Sequence, residues 1–332
     1  MMFLLAAAPG CDRSPSPSVT VVDPPAAETG GHTVLAGIQR LDQFYGMGWS
    51  PQGELIGISG ASLVGAPLEF RNLAGDKIRD TGIKGATGAR MAPDGKNAWV
   101  YHRYEGAADL YNLETGRIIR TGPQTREFPG AWIDNKSYLA VLTEPQGRLV
   151  RFGADGEMTP VEHENVESGI VKAALKAGRL YVLSGERELT VTDTDGGGAR
   201  VSTRSGVSDF ALSPDGRQIA LVSGTGPDQN ALVLADAVRG GSEKTAARGR
   251  LLQQLSWSPD GSRIAFSVFS PDQGMTGLYV MNADSGRMIP VSYKPNLKSV
   301  IDWSPSGTSF MVSEVLSGDI TDNMFTTIYQ LK

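Results

Sequence analysis

Few residues of this chain combine a type and a spacing that chemistry can use. Acyl transfer at a nucleophile elbow needs Gly-x-Ser-x-Gly, because the strained strand-to-helix turn must lift the serine hydroxyl beside an oxyanion hole. That motif is absent: Gly57-Ile-Ser-Gly60 has the wrong spacing and reads as strand. A phosphate-cradling P-loop and a dinucleotide fingerprint are missing too. Three histidines, His32, His102 and His163, are the nitrogen ligands on offer to a metal. Zinc and iron sites usually draw ligands from short spacings. These three are scattered, so a metal would need ring closure to bring them together. Asp193-Thr-Asp-Gly196 looks like half a calcium loop, but the twelfth-position carboxylate that completes one falls on Arg204. It reads as a hairpin turn. The expectation is no catalytic residue, no metal and no cofactor.

The one cysteine draws its chemistry from its place. The chain opens Met1-Met2-Phe3-Leu4-Leu5-Ala6-Ala7-Ala8-Pro9-Gly10-Cys11, an apolar run followed by small residues, as in the latter half of a signal peptide. An apolar run ending in small residues and Cys resembles a bacterial lipobox, which would make Cys11 the lipidated first residue of the mature chain. Ala8 and Pro9 depart from that pattern, which usually has Leu three places before the Cys and seldom Pro two before it. A signal peptide with an incidental Cys is the other reading. No positive residue precedes the apolar run, so an upstream start is expected. In Gram-negative lipoproteins that this N-terminus resembles, Asp immediately after the Cys, here Asp12, often marks inner-membrane retention; in a Gram-positive cell it would carry no such meaning. A lone thiol leaves no intramolecular disulfide to form. Residues 12–31 are rich in Ser, Pro and Gly without periodicity, the composition of an extended tether. We therefore read 1–11 as a truncated signal peptide with its lipobox, 12–31 as tether and 32–332 as the folded domain. No other stretch approaches the apolar length of a spanning helix.

The elements that must position any site are set by an internal repeat. Trp49-Ser-Pro-Gln-Gly53, Met91-Ala-Pro-Asp-Gly95, Leu212-Ser-Pro-Asp-Gly216, Trp257-Ser-Pro-Asp-Gly261 and Trp303-Ser-Pro-Ser-Gly307 align, with weaker copies at Trp132-Ile-Asp-Asn-Lys136 and Ala174-Leu-Lys-Ala-Gly178. Their first positions are separated by 42, 41, 42, 38, 45 and 46 residues, the length of a four-stranded propeller blade. An apolar strand ends at the Trp or its substitute. Pro then presets φ, Asp and Gly suit the later turn positions, and a second apolar strand follows. Four of the five tryptophans share this repeat position, which points to packing between blades. Leu110–Ile118, Leu149–Gly156, Leu189–Gly196, Leu278–Met288 and Leu68–Gly75 each read as an outer hairpin. The last repeat lacks a fourth strand, and the strand at His32–Gly37 has no blade of its own; pairing them closes the ring and removes exposed edges. The predicted fold class is all-β, a seven-bladed β-propeller of four-stranded blades, with six or eight blades as alternatives.

The Pro-Asp-Gly repeat resembles the TolB-type propeller repeat, which also occurs in the propellers of prolyl-oligopeptidase-like enzymes. The resemblance covers roughly residues 32–332. It implies a propeller of binding type; TolB's additional N-terminal domain and the peptidases' hydrolase domain have no expected counterpart here. Fold does not dictate function, so the partners are not carried over.

The 332 residues carry a net charge of −5 and a pI near 5.4. That balance speaks against a nucleic-acid surface, which has a basic excess, and leaves protein, peptide or glycan partners. The 41 Gly and 19 Pro with 40% hydrophobic residues fit a turn-rich globular domain, expected to be monomeric. The Pro-Asp-Gly turns share one face of the propeller; irregular loops share the other, where binding residues concentrate. Its candidates are His102, Arg103 and Tyr104, Arg126, His163, Phe269, and Tyr293 with Lys294, since aromatic and Arg side chains are enriched at hot spots. The function expected is non-catalytic docking of an envelope protein, peptide or glycan by a lipid-anchored protein facing the periplasm or cell exterior, with the lipid as its only membrane attachment. The alternative is a propeller enzyme, a metal-dependent glycan lyase or hydrolase in which His102 and His163 converge with acidic residues in the central channel. An intracellular WD-type scaffold ranks last, because it leaves the N-terminal segment without meaning.

Overall fold

The computed structural model describes residues 33–60, 66–102, 107–120, 130–143, 147–163, 169–194, 198–226, 229–237, 241–270, 276–295, 299–315 and 324–332. They form a strand β1 (Leu35–Asp42) and seven successive runs of strands. Blade 1 is β2 (Phe44–Trp49), β3 (Leu55–Ser59), β4 (Pro67–Arg71) and β5 (Lys77–Lys84). Blade 2 is β6 (Gly88–Met91), β7 (Asn97–His102), β8 (Ala107–Asn112) and β9 (Ile118–Arg120). Blade 3 is β10 (Ala131–Trp132), β11 (Ser137–Leu142), β12 (Arg148–Gly153) and β13 (Met158–Pro160). Blade 4 is β14 (Ile170–Lys176), β15 (Arg179–Ser184), β16 (Glu188–Asp193) and β17 (Arg200–Ser205). Blade 5 is β18 (Val207–Leu212), β19 (Gln218–Gly226), β20 (Gln229–Asp236) and β21 (Lys244–Gly249). Blade 6 is β22 (Leu251–Trp257), β23 (Arg263–Phe269), β24 (Gly277–Asn282) and β25 (Met288–Ser292). Blade 7 is β26 (Ile301–Trp303), β27 (Ser309–Val315) and β28 (Met324–Leu331), with β1 as its outermost strand. All pairings are antiparallel, and no helix occurs among the described residues. This is a seven-bladed β-propeller.

The core lies between blades, in seven clusters, one for each interface. A middle strand packed on both faces cannot alternate apolar and polar residues, so Asn97–His102 and Ser137–Leu142 are buried along their whole length. Outer strands show the reverse: β17, Arg-Val-Ser-Thr-Arg-Ser, is almost wholly exposed.

The repeat's turn is a small polar machine. In Ser213-Pro-Asp-Gly216 the serine hydroxyl donates to Asp215 Oδ1 (2.6 Å) and accepts from the Gln218 amide (2.9 Å), while the Arg217 amide also donates to Asp215 (3.0 Å). Ser258 and Asp260 repeat the pattern at 2.5, 2.9 and 3.1 Å. The fourth residue closes the turn at φ +73° in both copies, a conformation that favours glycine. Blade 4 has no such turn. It uses Ala177-Gly178, with φ of 50° and 70°, as a two-residue hairpin loop.

These turns tie stability to pH. Donation from Ser213 and the Arg217 amide holds the Asp215 carboxyl below its ordinary 3.8. At Asp260 burial works upward, but the hydrogen bonds from Ser258 and Ser262 outweigh it and the result is again a lowered value. A carboxylate whose folded value is depressed contributes stability above its unfolded value and loses it as pH falls through the folded value. A chain with Asp215→Asn and Asp260→Asn is therefore expected to be less stable at neutral pH and to lose less stability than wild type between about pH 5 and about pH 3. Thermal melts across that range check it; parallel curves would remove these two carboxylates from the acid response.

The four repeat tryptophans are staples between blades. Trp49 Nε1 donates to Asp302 O (3.1 Å), Trp132 to Arg90 O (2.9 Å), Trp257 to Ala211 O (3.0 Å) and Trp303 to Ser256 O (3.2 Å). Each acceptor sits one place before the repeat position of the preceding blade. The indole thus fills the interface and satisfies a carbonyl at the end of the neighbouring inner strand.

Candidate functional site

Two regions gather polar and apolar groups that the core does not consume: the face carrying the irregular loops, and the central channel. In every blade the first strand runs from the loop face to the Pro-Asp-Gly face. Position along that strand therefore gives depth in the channel.

On the loop face, Tyr293 is 86% exposed in the connection from β25 to β26. Beside it Lys294 Nζ makes an ion pair with Glu314 (2.8 Å) and lies 5.8 Å from the Phe325 ring. Phe269, Val300 and Val315 are also exposed where their strands meet this face. These residues belong to blades 6 and 7. His102 is placed differently: it is 7% exposed, its Nδ1 lies 3.3 Å from Gly85 O, and its Nε2 faces Asp109 at 3.7 Å. His163, half-buried beyond β13, accepts the Leu149 amide through Nε2 at 3.4 Å. The two histidines lie in different blades, each turned to its own neighbours. Among the described residues no group of three or more His, Cys, Asp or Glu could hold a metal ion. Cys11, His32, Arg103, Tyr104 and Arg126 lie outside the described residues.

The channel has a volume near 1240 Å³ and is lined by the first strands of the blades. Its charged residues are Arg90, Lys172, Lys176, Arg187, Asp209 and Asp302, a cationic excess within an anionic chain. Toward the loop face, Asp209 takes Lys172 Nζ (2.8 Å) and the amides of Phe210 (2.8 Å) and Leu255 (3.1 Å). That carboxylate is fully engaged. Toward the turn face, Arg90 and Asp302 sit at the ends of β6 and β26. Burial pushes the Asp302 carboxyl up to about 6, while Arg90 and the Trp303 amide pull against it. Tyr138 lines the same end; its ring stacks on Trp99 (4.5 Å, 11°) and meets Trp132 edge-on (5.4 Å). Burial raises its hydroxyl well above the ordinary phenol range.

None of Arg90, Tyr138, Asp209 or Asp302 was a candidate from sequence. Arg90 and Asp302 each precede the repeat position by one residue, and that register is the one signal that could have found them.

Architecture and channel together define a seven-bladed β-propeller with a polar central channel. No family model matches the chain. Two curated relatives, both the Tol-Pal system protein TolB of Anaeromyxobacter dehalogenans (strains 2CP-1 and 2CP-C), are 36% identical over 138 and 139 residues. Each match covers 40% of this chain and 28% of the relative, so the chain matches well under a third of the curated relatives' length. The repeat and these partial matches support a propeller of TolB type. Solved structures of similar fold include an oligogalacturonate lyase in complex with manganese (TM-score 0.63, 13% identity, 89% of this chain and 91% of that one). The oligogalacturonate lyase of Vibrio parahaemolyticus gives a TM-score of 0.63 at 12% identity, covering 90% and 98%. The β-propeller domain of Myceliophteria thermophila Cps50 (Swd1) gives 0.60 at 13%, covering 91% and 100%. At these identities the likeness is one of fold alone.

Proposed function

We propose that this chain is an exported, lipid-anchored protein of the cell envelope that binds without catalysing, docking a protein, peptide or glycan through its loop face. The exposed residues of blades 6 and 7 carry the reading: Tyr293 stands almost free in solvent next to Lys294, which pairs with Glu314, and Phe269, Val300 and Val315 are exposed on the same face. An exposed Tyr is among the side chains enriched at hot spots, and exposed apolar side chains gathered on one face mark interaction sites. The likeness to TolB supports an envelope setting, and Cys11 with the tether at 12–31 supports the anchor. Half-buried His163 is a further candidate; Arg103, Tyr104 and Arg126 stay candidates from the sequence and lie outside the described residues, and His102, 7% exposed, is withdrawn from the surface. The lyase reading lacks a ligand cluster among the described residues, and the fold likeness lends it no particular support.

The test is a pull-down from detergent-solubilised envelopes with Cys11→Ser protein as bait and the same protein carrying Phe269→Ser and Tyr293→Ala as control. Both substituted side chains are exposed, so stability should change by no more than about 0.5 kcal/mol each. A stoichiometric partner kept by the first bait and lost by the second is expected. A partner held equally by both moves the site off blades 6 and 7, and retention of nothing by either bait sinks the docking reading.

A further inference from the structure

The turn-face end of the channel contains a polar atom the fold leaves unused. Tyr138 is 1% exposed and its hydroxyl has no hydrogen-bond partner among the described residues. A buried hydroxyl without a partner is destabilising, and in native proteins such groups commonly mark a water or a ligand. The ring cannot swing away to find one, being stacked on Trp99 and bounded by Trp132. Arg90, on the adjacent blade, acts electrostatically on both this hydroxyl and Asp302. We propose that this end of the channel binds a small carboxylate, gripped by the Arg90 guanidinium and the Tyr138 hydroxyl.

The Arg90 guanidinium is a permanent cation that only donates and the Tyr138 hydroxyl has a proton to give, so the pair favours an anion over a cation. A planar carboxylate matches the guanidinium fork. A phosphate would set two negative charges beside Asp302, whereas a carboxylate sets one. The other anion of the channel, Asp209, is occupied by Lys172 and two amides toward the far end. Space is not limiting: about 1240 Å³ exceeds the usual volume of small-molecule sites.

Asp302 makes the site respond to pH. Below about 6 its carboxyl is protonated, which removes the one anion near the ligand and adds an O–H donor. Of the strands beside it, β2 brings Gly48, where a Cβ would lie 3.8 Å from Asp302 Oδ2, with Tyr45 further toward the loop face, and β22 brings Gln253 and Gln254. Arg90 is the one charged side chain acting on it among the described residues. Affinity should therefore rise as pH falls. The proposal stands apart from docking at the loop face, since the site lies at the opposite end of the channel.

Calorimetric titration of the full chain with lactate and benzoate, and with lactamide and benzamide as uncharged analogues, tests it at about pH 5.5 and about pH 7.5, either side of the Asp302 value. Saturable binding of at least one carboxylate, absent for its amide and tighter at the lower pH, is expected. Tyr138→Phe should weaken it about tenfold with the melting temperature unchanged or raised, because the lost hydroxyl had no partner. Asp302→Asn should bind at both pH values with equal affinity, and the Tyr293→Ala variant should bind like wild type. Failure of both carboxylates to bind at the lower pH overturns the proposal, as does undiminished affinity in Tyr138→Phe.

Discussion

Deleting residues 33–42 is expected to abolish the folded propeller, while moving them to the far end of the chain preserves it. Strand β1 pairs with β28 over seven register positions from Leu35↔Leu331 to Asp42↔Phe325. Without it blade 7 keeps three strands and presents β28 as a bare edge, and Leu41 leaves the cluster it shares with Phe44, Trp49, Leu55, Met311 and Ile328. The first blade is held to the last by a buried hub. Thr326 Oγ1 accepts the Gly46 amide (2.8 Å) and donates to Phe44 O (2.9 Å), and Ser313 Oγ donates to Gly46 O (2.7 Å). Gly46 lies so close that a Cβ there would be 2.8 Å from Met311 Sδ. Domain stability is only about 5–15 kcal/mol, so losing a ladder and loosening this seam should leave an aggregating chain. Val34 and Lys332 exchange backbone hydrogen bonds at 2.8 and 2.9 Å, so the two ends already form a hairpin lacking its turn. A permuted chain joining Lys332 to Thr33 through Asn-Gly and starting at β2 should fold with a urea midpoint near that of the original. Cooperative unfolding of the deletion at the wild-type midpoint would show that the closing strand is dispensable.

Trp99→Ala is the point substitution with the largest expected cost. Trp99 is the one tryptophan outside the repeat position, 1% exposed in β7. It stacks on Tyr138 at 4.5 Å and meets Phe152 edge-on at 5.4 Å, across the interface of blades 2 and 3. Truncating a buried Trp usually costs about 3–5 kcal/mol, and the aromatic geometry adds to the area term by about 1 kcal/mol. A loss of about 4 kcal/mol by urea denaturation is expected; a loss below about 2 kcal/mol would mean that the interface collapses into the vacancy. Because the same stack aims Tyr138 into the channel, carboxylate affinity should fall in this variant even under conditions where it is fully folded. By contrast, Tyr138→Phe should lose affinity without losing stability.

How much could be read in advance depended on the range over which each feature is specified. Ser-Pro-Asp-Gly turns, outer hairpins such as Leu110–Ile118, and the shared blade were legible because each is set by neighbours in the chain or by the count of strands. The tryptophan position was legible as packing for the same reason, although its acceptor, the carbonyl one place before the preceding repeat position, was not. Blade 4 shows the limit from the other side: Ala177-Gly178 keeps only the closing glycine of the motif, yet it makes a tighter turn than the fuller copies. His102 also differs from a loop residue read by position, since it closes β7 and turns inward between Gly85 and Asp109.

The sequence by itself determined the class of fold, its seven blades and the strand that closes it, because turn chemistry and strand patterning act over a few residues and recur often enough to reinforce each other. Only the tertiary structure decided what lines the channel. Trp49 reaches Asp302 across 253 residues of chain, and Arg90, Tyr138 and Asp302 share no motif and come from three different blades. Their meeting is a consequence of inner-strand register around a closed ring, a long-range geometric condition that no local pattern encodes.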